Sequence, residues 1–380
     1  MRRSLHRVSQ DERRDSNKGE ETLQVDVLIV GAGPAGSTTA RYCSGRGIDV
    51  LMIDRRKEIG YPVQCGELLP SVEEMYSIFP ATAGLEDLFD IPQSVVVGNN
   101  HAIEFISPRG HAYDVDFESC CLDRRLFDKH LAKKAEEAGA RLVTGESLVT
   151  IDGGVAKTTM GEIRAKIIVG ADGPNSMTAR KAGLERPRLR YPAITCKADG
   201  QFDETVRMFF GSVAPGGYAW VIPKKGGANV GLGYSDGICR ERPSAALARF
   251  VSTLGSKVRD PTLGFVPMSG PARSTVAGNV LLVGDAAGQV MASNGGGIPT
   301  AMIAGREAGE TIRDHLSNGG KLMDYERRWR SRIGVPLRNS LRTRRLADYF
   351  FPNNTMLGLS MALLGRRGLD RAIRCKRLFI

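Results

Sequence analysis

The sequence predicts a mixed α/β fold: a parallel sheet grown from a strand–glycine–helix unit, an inserted antiparallel β-sheet, and a basic helical C-terminal region. Three observations carry this prediction. An apolar strand runs straight into Gly31-x-Gly33-x-x-Gly36. Two later apolar strands end in turns that hold an acid, Ala171-Asp172-Gly173 and Gly284-Asp285. Between these landmarks lie segments that alternate apolar and polar residues with period two. At 380 residues, 42% of them hydrophobic, the chain suits one large unit or two intimate domains.

Met1 to Glu21 is charged from its start and lacks an apolar core, which excludes a secretory signal; it reads as a mobile basic extension. Val25 to Val30 is a buried strand. Gly31 permits the tight turn after it, Gly33 lets a backbone approach a pyrophosphate, and Gly36 lets helix and strand pack closely. A second apolar run, Ile48 to Ile53, ends in Asp54, whose carboxylate is placed to accept ribose hydroxyls. Strand, glycines, helix, strand and acid in that order predict a dinucleotide site, without saying which dinucleotide.

Arg55 to Glu67 is irregular, and its Cys65-Gly66 either runs along a bound cofactor or is an inert loop thiol. Alternation from Ser94 to Glu118 predicts antiparallel strands of a second region. Asp123 to Gly139 is an amphipathic helix with Asp123 as N-cap, Phe127, Leu131 and Ala135 on one face, and Gly139 at its end. Arg124 at its start is either a surface charge or a phosphate contact. Arg141 to Val143 and Leu148 to Ile151 read as strands returning to the first sheet.

Ile163 to Val169 is a strand that delivers Asp172 to the sheet edge where ligands bind in open α/β folds. Alternation resumes from Tyr191 to Tyr234, with Thr205–Phe210 and Tyr218–Ile222 as its clearest strands. Tyr218 and Trp220 either fill a core or face an oily substrate. Asn279 to Val283 leads into Asp285, and Gly295 to Ile298 opens a small-residue helix whose N-terminus favours negative charge.

The end of the chain is arginine-rich from Glu326 to Arg345, and Met356 to Ile380 mixes leucines with arginines. The last stretch either rests on an anionic membrane or docks its apolar side on the core. It adds to a net charge of +11, which favours acidic partners. Aromatic content of 6%, with no RNP motif or finger spacing, argues against nucleic acid. Seven cysteines without CxxC suit a reducing, cytoplasmic interior. No metal spacing, nucleophile elbow or P-loop lysine is present.

Taken together, the three turns resemble those of the hydroxylase-type FAD-dependent flavoproteins, across most of the chain. Cys65-Gly66-Glu67, Pro215-Gly-Gly-Tyr218-Ala-Trp220, Gly284-Asp-Ala-Ala-Gly288 and Gly295-Gly-Gly-Ile298 resemble the geranylgeranyl reductases, and more narrowly the archaeal enzymes that saturate digeranylgeranylglycerophospholipids. The resemblance implies FAD as cofactor. Ala35 and Gly36 would meet the pyrophosphate, Asp54 the ribose, and Cys65, Gly66 and Leu68 the flavin. Arg124 and the backbone near Leu148 would complete the adenine side, Asp285 would bind the ribityl chain or phosphate, and Gly297 and Ile298 would face the isoalloxazine. Tyr218 and Trp220 would line an isoprenoid tunnel, with Cys65 or Tyr218 as proton source.

It also implies an isoprenoid lipid substrate, an electron donor such as NAD(P)H or a ferredoxin, and a place in the cytoplasm or on the inner face of the membrane. Residues 22–90, 119–185 and 270–316 would form the FAD domain, 91–118 and 186–269 the substrate domain, and 317–380 the basic helical region. The sequence departs from the family pattern at Leu68, Ile222 and Met291 to Asn294, all near the expected pocket. A flavin monooxygenase, or a reductase of menaquinone or chlorophyll side chains, is the competing reading.

Overall fold

The computed structural model describes residues 22–378; the expected extension at 1–21 lies outside them. The chain opens with β1 (Leu23–Val30), α1 (Pro34–Cys43) and β2 (Val50–Asp54). Then come β3 (Leu68–Pro70), α2 (Val72–Ile78), α3 (Leu85–Leu88) and the hairpin of β4 (Val96–Ile106) and β5 (Ala112–Leu122). Helix α4 (Arg124–Glu137) leads to β6 (Arg141–Thr144), β7 (Leu148–Asp152), β8 (Val155–Thr158), β9 (Gly161–Gly170) and α5 (Met177–Lys181). The next block is β10 (Arg190–Asp199), β11 (Thr205–Phe210), β12 (Tyr218–Lys224), β13 (Gly227–Gly233), α6 (Pro243–Ser252) and β14 (Val258–Pro267). Short strands β15 (Val276–Ala277) and β16 (Val280–Leu282) precede α7 (Ile298–Asn318), α8 (Asp324–Ala347) and α9 (Asn354–Ile373).

These elements make two sheets. The first has the order β15-β16-β9-β1-β2-β6, parallel from β16 to β6, with the β7–β8 hairpin hung on β9. The central strands carry continuous buried apolar runs, Val27–Val30, Val50–Ile53 and Ile167–Val169, because both faces are covered there. Helix α1 crosses α7 closely: a Cβ on Gly305 would sit 2.8 Å from the Ala35 carbonyl oxygen, and one on Gly309 2.6 Å from that of Thr39. The small residues of α7 therefore serve packing against the opening unit.

The second sheet runs β14-β10-β13-β12-β11-β4-β5-β3, antiparallel except for β11 beside β4. Its membership runs across the expected boundaries. Strand β3 pairs with Cys120 and Cys121 at the end of β5, so residues 68–70 and 119–122 lie in the second sheet and not the first. Helix α4 begins as expected, with Asp123 accepting hydrogen bonds from the Arg125 and Leu126 amides, and Phe127, Leu131 and Ala135 are buried. Helix α8 is anchored by buried Tyr325 and Trp329, and α9 bends at Gly365.

Candidate active site

A cavity of about 850 Å³, near the top of the range for small-molecule clefts, runs along the carboxyl edge of the first sheet and over one face of the second. It is lined by Gly31, Gly33, Ala35, Asp54, Cys65, Gly66, Leu68, Arg124, Leu148, Tyr218, Trp220, Asp285, Gly297 and Ile298. Gly36 is missing from that lining. A Cβ there would sit 1.8 Å from the Gly31 carbonyl oxygen, so close packing of the turn holds this position to glycine. Gly33 is the converse, with nothing within 4 Å of an added Cβ.

The first end of the cavity is made of backbone. Gly31 has φ +105°, and an added Cβ would meet the Ala171 carbonyl oxygen at 2.3 Å, which forces glycine there. Gly33 caps α1 without a side-chain bond and Pro34 follows it, so the first amides of the helix are left for a ligand. Asp54 is buried, and its carboxylate accepts from the Ala32 amide at 2.9 Å and the Arg56 amide at 2.8 Å. It thus holds the glycine turn while lining the cavity. Asp172 is already engaged: it accepts from the Met177 and Thr178 amides at 2.7 and 2.9 Å and from the Ser176 hydroxyl at 2.6 Å. Its work is to cap α5.

The middle is charged. Arg124 forms a two-toothed pair with buried Asp128, Nε to Oδ1 and Nη2 to Oδ2 both at 3.0 Å. Its guanidinium also neighbours Cys65 and Asp285, and Asp128 neighbours Asp54 and Arg56. The pair is thus within electrostatic reach of both Asp54 and Cys65. Cys65 is half-buried, and its Sγ accepts from the Glu67 amide at 3.2 Å. Burial pushes the Asp285 carboxyl up to about 6, against the pull of Arg124. Gly297, the N-cap of α7, lies against Asp285, where an added Cβ would be 3.3 Å from Oδ1. The N-terminus of this 21-residue helix faces the cavity beside that acid.

The far end is made of side chains. Phe210, Tyr218 and Trp220 line it and continue a row that starts at buried Phe105, with successive ring centroids 6.1, 5.9 and 5.9 Å apart. The Trp220 indole lies over β13 only because its partner there is Gly231, where a Cβ would meet Cζ2 at 2.3 Å. The Tyr218 hydroxyl donates to the Asn294 carbonyl, and burial pushes its phenol well up. Sequence reasoning missed Asn229, Glu67 and Lys224, which form a buried network under Trp220 and Cys65. The available signal was a polar residue within Gly-Ala-Asn229-Val-Gly-Leu-Gly, because asparagine is disfavoured in a buried strand.

Comparison with known proteins agrees with this layout. The FAD binding domain family matches residues 24–228. The digeranylgeranylglycerophospholipid reductase 2 of Methanothermobacter thermautotrophicus is 36% identical over 353 residues, covering 86% of this chain and 88% of that protein. The digeranylgeranylglycerophospholipid reductase of Methanosarcina acetivorans is 35% identical, covering 83% of each. Among solved structures, a geranylgeranyl bacteriochlorophyll reductase-like protein from Thermoplasma acidophilum superposes with a TM-score of 0.78 at 25% identity, covering 94% of both chains.

Proposed function

The chain belongs to the digeranylgeranylglycerophospholipid reductase family of FAD-dependent oxidoreductases, and on that premise we propose that it saturates isolated double bonds in the geranylgeranyl chains of ether phospholipids. The observation that carries the proposal is one continuous cavity joining a glycine-built cofactor cradle to an aromatic wall, with Cys65 between them. The residues present fit FAD: open space over Gly33, the free N-termini of α1 and α7, and the carboxylates of Asp54 and Asp285 along the way.

Bound FAD, once reduced, supplies the hydride. An isolated isoprenoid double bond carries no carbonyl to polarise it, so the protein must exclude water and hold a proton at one fixed place. Cys65 and Tyr218 are the expected protic groups. Tyr218 has its proton committed to the Asn294 carbonyl and a raised pKa, so we assign proton delivery to the Cys65 thiol and chain positioning to Tyr218 and Trp220. Each saturation then adds one hydride and one proton. Each turnover would draw two electrons from outside the chain, from NAD(P)H or a ferredoxin.

Among the described residues no helix is long and apolar enough to cross a membrane. The α8–α9 elbow leaves Tyr349 and Leu363 exposed at 78% and 89%, with Met356 and Leu359 exposed nearby. Arginines 342, 345, 366 and 367 occur in the same stretch, and this combination supports contact with an anionic membrane surface. The central test is anaerobic incubation of the reduced protein with unsaturated digeranylgeranyl phospholipid, followed by mass spectrometry of the lipid. Mass gains in steps of two hydrogens support the proposal; an unchanged lipid refutes it.

A further inference from the structure

Asn229 on β13 is 2% exposed, and its side-chain amide makes four hydrogen bonds. Its Oδ1 accepts from Trp220 Nε1 at 2.8 Å and Thr195 Oγ1 at 2.7 Å. Its Nδ2 donates to the Cys65 carbonyl at 3.0 Å and to Glu67 Oε2 at 3.0 Å. These bonds use both N–H groups and both lone pairs of the amide. Turned over, it would set N–H against indole N–H and oxygen against a carbonyl and a carboxylate, so the network fixes its orientation.

The network reaches beyond the sheet. Glu67 is buried with φ +68°, a left-handed conformation that non-glycine residues rarely adopt. Lys224 Nζ donates to its Oε2, and its Oε1 accepts from the Arg124 amide at 3.4 Å. A Cβ on Gly66 would touch Ile222 Cδ1 at 3.1 Å and Trp220 Nε1 at 3.6 Å, so the loop lies directly on the aromatic strand. One amide thus ties three strands to the loop that carries Cys65.

We propose that Asn229 is a positioning residue, which sets Cys65 against the Trp220 wall and, with the Glu67–Lys224 pair, keeps that spacing fixed during turnover. This rests on the reductase reading above. Only an amide serves here. An aspartate would face Glu67 with a second carboxylate, and leucine would leave the indole N–H and the Cys65 carbonyl without the partners they have here.

The test compares the FAD-loaded wild type with Asn229→Asp, Glu67→Gln and the double variant, which restores one carboxylate and one amide. Three quantities are read: FAD content, anaerobic kcat and KM on digeranylgeranyl phospholipid, and the alkylation rate of Cys65 by iodoacetamide in both FAD-free and loaded protein, mapped by peptide mass. Asn229→Asp is expected to retain FAD, lose about 10²-fold in kcat with KM little changed, and alter the Cys65 alkylation rate. The double variant is expected to relieve the carboxylate pairing with Glu67 but to keep most of the kcat loss, because a carboxylate at position 229 cannot donate to the Cys65 carbonyl. Wild-type kcat and alkylation in Asn229→Asp, or a double variant with wild-type kcat, overturns the proposal. Should Asn229→Asp not fold, Thr195→Val removes one bond of the four; it is expected to lower kcat about 3- to 10-fold with FAD retained, and an unchanged kcat is equally fatal. If the wild type reduces no isoprenoid double bond, the reductase reading fails, while Cys65 alkylation in the FAD-free variants still decides the positioning role.

Discussion

The two ends of the cavity are built in opposite ways. At the cofactor end the contacts come from backbone: Gly31 and Gly36 allow the turn, Gly33 leaves space, and two helix N-termini point inward. At the other end the contacts come from side chains, a row of aromatic rings on β4, β11 and β12 whose places depend on glycines and one asparagine of β13. Backbone contacts suit a ligand that never changes. Side-chain contacts can be exchanged without disturbing the strand beneath, so substrate choice can be altered there while the cofactor stays bound.

The largest effects should fall where backbone meets backbone. Gly36→Ala places a Cβ 1.8 Å from the Gly31 oxygen, so the turn must open. Destabilisation of at least about 3 kcal/mol and loss of FAD are expected, read by thermal denaturation and flavin absorbance. Gly33→Ala has free space and an ordinary φ of −80°, so the melting temperature should hold while FAD affinity falls. Equal damage from the two would erase the distinction between packing and ligand-facing glycines.

At the boundary between the ends, Cys65→Ala should lower kcat by about 10²- to 10⁴-fold with FAD retained, the range of a lost general acid. Tyr218→Phe should cost less, about tenfold, since its proton is held by Asn294. Anaerobic single-turnover kinetics separate the two. At the far end, Gly231→Ala pushes on the Trp220 indole from 2.3 Å and on the Ile194 carbonyl oxygen from 2.5 Å, so it should lower the melting temperature as well as raise KM or change how many double bonds are reduced.

The same contrast explains what the sequence made legible. A glycine turn is local: three glycines, a flanking strand and Asp54 lie within one βαβ unit, and their roles follow from spacing. Asp172 and Asp285 look alike in sequence and both line the cavity, yet the Asp172 carboxylate is spent on the first amides of α5 while that of Asp285 lies against Gly297 at the start of α7. Spacing alone does not say which way an acid turns. The second sheet was recognisable by its alternation, but β3 pairs with residues some fifty positions later, and no periodicity records that partner. Asn229 and Glu67 are 162 residues apart, and their bond exists only once the second sheet has gathered the segment before β3 and strand β13.

Asp285 lies where the two kinds of wall meet, and it gives the smallest and most specific expectation. Its carboxyl is raised from 3.8 to about 6 by burial. A folded-state pKa above the unfolded one means that the folded protein holds its proton more tightly. This group therefore lowers stability as pH rises from about 4 to about 6, and the cost persists above that window. In FAD-free protein, Asp285→Asn should be no more stable than the wild type below pH 4 and about 1–3 kcal/mol more stable above pH 6. Thermal denaturation of both across that range isolates the one carboxyl, because every other group titrates alike in the pair. A difference that does not vary with pH would mean that Asp285 is not shielded from water. With FAD added the order should reverse, since the wild-type carboxylate then accepts hydroxyl hydrogens that the amide oxygen holds less strongly.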